Sequence, residues 1–296
     1  MGNILITASH FRTLCQKAIH LLESNGHQVI LNDHELPYYS FEELAVWAPE
    51  IDGAIIGMDQ WNEQVFHIAP KLKILARFGV GVDNIDLEAA KRHGIQVVNA
   101  AGMNANAVAE LAVAMILNCL RGIPELNRKL TDGQWSRAVG RDLLGKTVGL
   151  LGFGDIGGRV AKKLSGFEVR LLAYDPYPNR EKAAALGVTL TDLDTVLTQS
   201  DILSIHMPSI PATRHVMNRE TFAKMKPDSY FINTARGALV DTQALVDAVA
   251  GGHLAGAAVD VYEQEPLPMG APILHTPGIQ CVSPMRGRKL GKPIPT

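Results

Sequence analysis

The stretch Val148-Gly-Leu-Leu-Gly-Phe-Gly-Asp-Ile-Gly-Gly158 carries the most specific chemistry in this sequence. An apolar strand, Thr147 to Leu151, runs into a turn with glycine at 152, 154 and 157. A helix follows through Arg159-Val-Ala-Lys-Lys-Leu164. This is the G-x-G-x-x-G spacing that a dinucleotide pyrophosphate requires. Gly152 allows the tight turn, Gly154 the close approach of backbone to phosphate, and Gly157 the packing of helix on strand. The first helical turn then offers free N–H groups and a positive dipole end. The next strand, Glu168 to Tyr174, ends in Asp175, about 20 residues beyond the glycines, where a carboxylate accepts from the adenosine ribose. A carboxylate there also repels a 2′-phosphate, so NAD is expected in preference to NADP. The alternative, a glycine turn joining an ordinary strand and helix, leaves Asp175 without a reason.

Two further clusters could act on a small acid. Gly79-Val80-Gly81 follows the strand Lys73 to Arg77 and so lies at the carboxyl edge of a sheet, where ligands bind. Glycines there expose backbone N–H groups able to hold a carboxylate; a simple turn is the competing reading. Arg236 follows the strand Ser229 to Asn233. Its guanidinium can grip a carboxylate or carbonyl oxygen and polarise a carbonyl for hydride attack, unless it is a surface arginine in a salt bridge. Asn104 opens a long helix, and helix capping and substrate contact are both open to it.

The elements that must position these residues follow from the periodicity. In residues 1 to about 100, strands at Asn3 to Ala8, Gln28 to Leu31, Gly53 to Gly57, Lys73 to Arg77 and Gln96 to Asn99 alternate with helices. One helix, Thr13 to Ser24, puts Leu14, Ala18, Leu21 and Leu22 on one face. Beyond a long apolar helix, Ala105 to Leu120, come the glycine turn and short strands at 201–205, 229–233 and 255–259. Apolar β-branched strands alternating with helices imply parallel sheets covered on both faces. The expected fold is α/β, with two doubly wound parallel-sheet domains. Residues 1–102 form a smaller flavodoxin-like substrate domain and 103–285 a Rossmann NAD-binding domain.

Composition agrees with two such domains. The chain has 296 residues, 47% hydrophobic and 20% charged, with a net charge of -2. Nothing in that balance calls for nucleic acid or a membrane surface. Cys15, Cys119 and Cys281 are odd in number and lie far apart, as reduced thiols in the cytoplasm do, and no metal-ligand spacing is present. The N-terminus enters a strand directly, without a signal-type h-region.

Taken together, Arg77-Phe-Gly-Val-Gly-Val-Asp-Asn-Ile-Asp86, the glycine turn with Asp175, Asn233-Thr-Ala-Arg-Gly-Ala-Leu-Val-Asp241 and Asp260-Val-Tyr-Glu-Gln-Glu-Pro266 resemble the D-isomer-specific 2-hydroxyacid dehydrogenases, in their phosphoglycerate-dehydrogenase-like branch. The resemblance runs from about Gly53 to Pro284. It implies hydride exchange between NAD and a small 2-hydroxy or 2-oxo acid, and a homodimer formed through the cofactor domain, around Val108 to Leu120 and Trp135. It implies that Gly79, Val80, Gly81 and Asn104 meet substrate. Gly152, Phe153, Gly154, Asp155, Ile156, Gly157, Asp175, His206, Met207, Pro208, Thr213, Thr234, Ala235, Arg236 and Asp260 would surround the cofactor. Arg236 would polarise the reacting carbonyl, and Glu265 would pair with a histidine and raise its pKa. Ile56-Gly-Met-Asp-Gln60 lacks the arginine expected there for a phosphate, which leaves an unphosphorylated substrate open alongside 3-phosphoglycerate.

One position departs from the pattern. Where the family carries Ser/Thr-Pro-His, this chain has Ser283-Pro-Met285. A thioether cannot donate a proton. The residues after it, 286–296, are basic and rich in Gly and Pro, where the family has a helix returning to the smaller domain. The change of character at Met285 reads as a truncated or frame-shifted end. Two functions stay open on the sequence: an NAD-dependent oxidoreductase, and an NAD-binding protein with little or no turnover, a sensor or a defective copy.

Overall fold

A computed structural model of the chain describes residues 1–31 and 38–282. The chain divides into two compact units, Met1–Asn104 and Ala105–Thr296. Among the described residues the first holds five parallel strands: β1 (Asn3–Ile6), β2 (Gln28–Leu31), β3 (Gly53–Ile56), β4 (Ile74–Arg77) and β5 (Gln96–Asn99). Their spatial order is β2-β1-β3-β4-β5. This is the flavodoxin order, with its switch point between β1 and β3. Leu5, Ile56 and Leu75 are fully buried beside Trp61 and Phe66 under the helices on one face.

The opposite face corrects one sequence expectation. The helix predicted from Thr13 to Ser24 is broken at Cys15 into Phe11–Leu14 and Gln16–Ser24. The break resets the helical phase, so Ala18, Ile19 and Leu22 pack on Ile4 and Ile6, while Leu14 and Leu21 are exposed.

Among the described residues the second unit holds seven parallel strands: β6 (Thr147–Leu151), β7 (Arg170–Tyr174), β8 (Val188–Leu190), β9 (Ile202–Ile205), β10 (Ser229–Asn233), β11 (Leu254–Val259) and β12 (Ile279–Cys281). The order β12-β11-β10-β9-β6-β7-β8 places the switch point between β6 and β9. That is the dinucleotide-binding arrangement, extended by one edge strand. Both sheets are doubly wound and parallel, as the alternation of strands and helices predicts. β9 and the last four residues of β6 are buried throughout, so apart from Ser204 their sequences carry no polar residue and do not alternate.

The helix Ala105–Arg121 buries Ala109, Ala112, Met115, Ile116 and Leu120 within this unit, against Val160, Ala161 and Leu164 of Asp155–Leu164. Each large side chain so covered contributes about 1.5–3 kcal/mol. Among the described residues no single helix is long and apolar enough to cross a membrane. No group of three or more His, Cys, Asp or Glu side chains among them is placed to hold a metal.

Candidate functional site

The glycine turn sits where β6 ends, at the switch point of the larger sheet. Gly152 has φ +95° and lies so close to β9 that an added Cβ would meet the His206 carbonyl carbon and oxygen at 2.8 Å. Only glycine satisfies both demands. A Cβ on Gly157 would approach the Gly152 oxygen to 2.2 Å, so helix and turn are in direct backbone contact. The helix that follows has no side-chain cap at Gly154. Among the described residues no acceptor is found for the N–H groups of Asp155, Ile156 and Gly157. Those donors suit a pyrophosphate.

Asp175 does more than wait for a ribose. One carboxylate oxygen accepts the Phe153 N–H at 2.7 Å and the other the Tyr177 N–H at 2.8 Å. It therefore ties the end of β7 to the glycine turn, and spare lone pairs remain for a ribose hydroxyl.

At the carboxyl ends of β9, β10 and β11, three buried polar atoms have no partner among the described residues: His206 Nδ1, Thr234 Oγ1 and Asp260 Oδ1. Buried polar atoms are normally satisfied, so these three mark a place for a polar ligand. His206 also meets the Ser204 hydroxyl through Nε2 at 3.0 Å, and burial pulls its pKa down to about 4. Burial thus favours its neutral form near pH 7. Met207 is buried and Pro208 exposed, while the Thr213 hydroxyl donates to the Pro208 carbonyl at 2.7 Å and accepts the Ile210 N–H at 2.9 Å. Thr213 thus closes its own loop.

The turn after β10 is pinned by Asn233, a residue that motif reading passes over as a site residue. Its side chain accepts from the Ala235 N–H at 3.0 Å and donates to the Arg236 carbonyl at 2.9 Å, and its own carbonyl accepts the Asp260 N–H at 3.2 Å. The buried side-chain amide thus holds Ala235 and Arg236, and the main-chain carbonyl of the same residue holds Asp260. The Arg236 guanidinium is half-buried and donates to the Ala235 carbonyl at 2.7 Å. Glu265 accepts the Tyr262 N–H at 3.0 Å, and the Tyr262 hydroxyl donates to the Val282 carbonyl at 2.8 Å.

Sequence reading also misses what fixes this acidic loop. Glu263 meets His215 Nε2 at 2.6 Å and accepts the Thr242 N–H at 2.8 Å. Gly237 lies directly on the Tyr262–Glu263 peptide. His275, on the approach to β12, bonds the Met269 carbonyl at 3.2 Å. Met285 and residues 286–296 lie outside the described residues.

Burial first, and the charge of Glu265 second, push Asp260 up to about 6. An acid whose folded pKa lies above its unfolded value destabilises the fold when ionised. The penalty is absent at low pH and complete once pH has risen through about 6. Asp260→Asn removes it. The stability of the variant relative to the parent is expected to rise by about 1–2 kcal/mol between roughly pH 4.5 and 7.5. His206 titrates in both proteins and drops out of the difference. Thermal melts across that range check it, and a pH-independent difference would show that Asp260 does not titrate this way.

In the smaller unit, Gly79, Val80 and Gly81 follow β4 and are half-buried. The Gly79 N–H is committed to the Arg77 carbonyl at 2.8 Å, which narrows the expected cradle to two donors. No acceptor is found among the described residues for the N–H groups of Val80 and Gly81. The loop is braced by Asn99, which donates to the Val80 carbonyl at 2.6 Å, and by the Ala100 N–H on the Gly79 carbonyl at 2.9 Å. Asn104 Oδ1 is buried with no partner among the described residues, so it makes no helix-cap bond through that oxygen.

Sequence reading gives no weight to Asp59. It is fully buried at the switch point of the small sheet, taking hydrogen bonds from the Thr7 hydroxyl, the Gly57 N–H and the Tyr39 N–H.

Comparison with known proteins decides the family. Residues 113–283 match the model of the D-isomer specific 2-hydroxyacid dehydrogenase, NAD binding domain. The chain belongs to the D-isomer-specific 2-hydroxyacid dehydrogenase family. Its cofactor is NAD.

The chain is 39% identical over 264 residues to a D-3-phosphoglycerate dehydrogenase of Archaeoglobus fulgidus, which covers 88% of this chain and 49% of the relative. It thus spans about half the length of that relative. A hydroxypyruvate reductase of Thermotoga maritima is 40% identical over 252 residues, covering 83% of this chain and 81% of its own. Among solved structures, the NAD-dependent formate dehydrogenase from Staphylococcus aureus in complex with NAD has a TM-score of 0.82 at 32% identity, over 95% of this chain and 88% of that one. The TT0316 protein from Thermus thermophilus has a TM-score of 0.87 at 35% identity, covering 95% and 89%.

Proposed function

We propose that this family member is an NAD-dependent oxidoreductase that interconverts a D-2-hydroxy acid and its 2-oxo acid. The observation that carries the reading is the turn Asn233–Arg236, which holds an arginine and the buried Asp260 on the same sheet edge as an uncapped glycine turn. Bound NAD(H) supplies or takes the hydride. The N–H groups of Val80 and Gly81 hold the substrate carboxylate, with Asn104 as a further contact. Arg236 stabilises the negative charge that develops on the carbonyl oxygen. Glu265 would orient a proton-transfer group, which Met285 does not supply, so turnover by the unmodified chain is expected to be slow.

Small unphosphorylated acids are favoured over 3-phosphoglycerate. Ile56 to Gln60 carries no arginine to hold a phosphate. The test is NADH oxidation with glyoxylate, hydroxypyruvate and 3-phosphohydroxypyruvate. A protein that neither binds NADH nor oxidises it with any of them overturns the proposal. The second reading, NAD binding with little turnover, is favoured by Met285 alone.

Asp175 supports a preference for NADH over NADPH. Fluorescence titration is expected to show at least a tenfold difference in affinity, narrowed in Asp175→Ala. Because Asp175 also holds the Phe153 and Tyr177 N–H groups, that variant should lose some NADH affinity as well. Equal affinities in the parent exclude the assignment.

A homodimer in the cytoplasm completes the proposal. The helix Ala105–Arg121 spends much of its apolar surface inside its own unit. The support therefore shifts to the segment after it, where Ile123, Leu130, Trp135 (83% exposed), Val139 (100%) and Leu144 face outward. Light scattering that returns a monomer mass at micromolar concentration would sink this part.

A further inference from the structure

We propose that Lys182 is a positioning residue for the cofactor's pyrophosphate, acting through the Gly154–Asp155 peptide. The proposal rests on the reading of the glycine turn as the NAD site. Lys182 lies on the short helix Arg180–Ala185, whose first turn is capped by Asn179. Its side chain runs back to the turn. The ammonium donates to the Gly154 carbonyl at 2.6 Å and sits 5.3 Å from the centre of the Phe153 ring. Its methylenes cover Gly158, where an added Cβ would stand 2.1 Å from Lys182 Cε. The Gly154 oxygen also receives the Gly158 N–H at 3.1 Å.

The acids nearest in sequence to the turn are engaged elsewhere. Asp155 takes Arg159 at 3.0 Å, and both oxygens of Asp175 hold backbone N–H groups. Lys182 is thus a half-buried cation held by a carbonyl and an aromatic face. A lysine serving only solubility would extend into water.

The consequence follows from peptide chemistry. The Gly154 carbonyl and the Asp155 N–H are the two ends of one peptide group. A cation on the oxygen draws electron density from that group and makes its N–H a stronger donor. It also holds the peptide plane, so the first donor of the helix is aimed before the cofactor arrives. The turn is then gripped from both sides, by Asp175 on the Phe153 N–H and by Lys182 on the Gly154 oxygen. The second grip explains why a fourth glycine, Gly158, follows the three of the motif.

The test is competition against bound NADH, followed by its fluorescence, with ADP-ribose and with adenosine as probes. Lys182→Met keeps the methylene packing and removes the charge. Its affinity for NADH and ADP-ribose is expected to fall roughly five- to tenfold, the order for a charge-assisted hydrogen bond in a partly exposed site. Its affinity for adenosine, which has no phosphate, should stay within about twofold, and Lys182→Arg should recover most of the loss. Gly158→Ala pushes the ammonium off Gly154 with the charge retained and is expected to reproduce the defect. Wild-type ADP-ribose affinity in Lys182→Met overturns the proposal, as does an equal loss for adenosine. Failure of the unmodified chain to bind NADH would instead remove the underlying NAD reading.

Discussion

Met285→His is expected to turn over at least ~10²-fold faster than the unmodified chain, within the ~10²–10⁴-fold range of a positioned general acid. During reduction the carbonyl oxygen gains negative charge and must be protonated. Arg236 would stabilise that charge, and an arginine guanidinium does not act as a general acid in proteins. A thioether at 285 has no proton to give. By the family resemblance, an imidazole there would pair with Glu265. Glu265 is oriented by the Tyr262 N–H at 3.0 Å and keeps a second oxygen for an imidazole N–H. The tyrosine is itself anchored on the Val282 carbonyl, three residues before position 285. A carboxylate partner would hold the new histidine's pKa up and keep it protonated near neutrality. Burial pulls the pKa of His206 down to about 4, which disfavours the protonated form a substitute acid would need. NADH oxidation with glyoxylate and hydroxypyruvate compares the two proteins. Equal, robust rates would show that another residue supplies the proton.

Gly237→Ala is expected to cost about 2–4 kcal/mol of stability, the effect of forcing atoms into a packed backbone contact. A Cβ at 237 would stand 1.9 Å from the Tyr262 carbonyl carbon, 2.0 Å from its oxygen and 2.4 Å from the Glu263 nitrogen. No rotamer change relieves that clash, since every atom in it is main chain. Either the Arg236 turn or the acidic loop must move. In a unit of this size the melting temperature should fall by roughly 5–15 °C. Turnover measured in the Met285→His background should fall as well, because Arg236 and Glu265 flank the contact. Glu263 anchors the same loop through His215 and the Thr242 N–H, so it resists the shift that would absorb the methyl. A melting temperature within about 2 °C of the parent would mean that the two loops are not in rigid contact.

Much of this was legible in the chain itself. The strand at Thr147–Leu151, the glycine turn and the strand ending before Asp175 are local features. Apolar runs mark buried parallel strands, and glycine spacing marks the turn, whatever the rest of the molecule does. The helix break at Cys15 was hidden, because a period of 3.6 residues continues through a break whenever the apolar residues on either side happen to fit it. Leu21 was therefore assigned to the core and Ile19 was overlooked.

The sequence alone determined the two-sheet α/β class and the dinucleotide turn, because each depends on residue type and short-range spacing. Only the tertiary structure decided which groups hold the site in shape. Asp59 reaches Thr7 across 52 positions, Glu263 reaches His215 across 48, and Lys182 reaches Gly154 across 28. The same holds for the Gly79 N–H, already spent on Arg77, and for the atoms of His206, Thr234 and Asp260 that no described residue partners. Hydrogen bonds and close backbone contacts are set by where the fold brings chain segments together. An isolated Asp, Lys or Gly in a sequence gives no sign of that distance or direction.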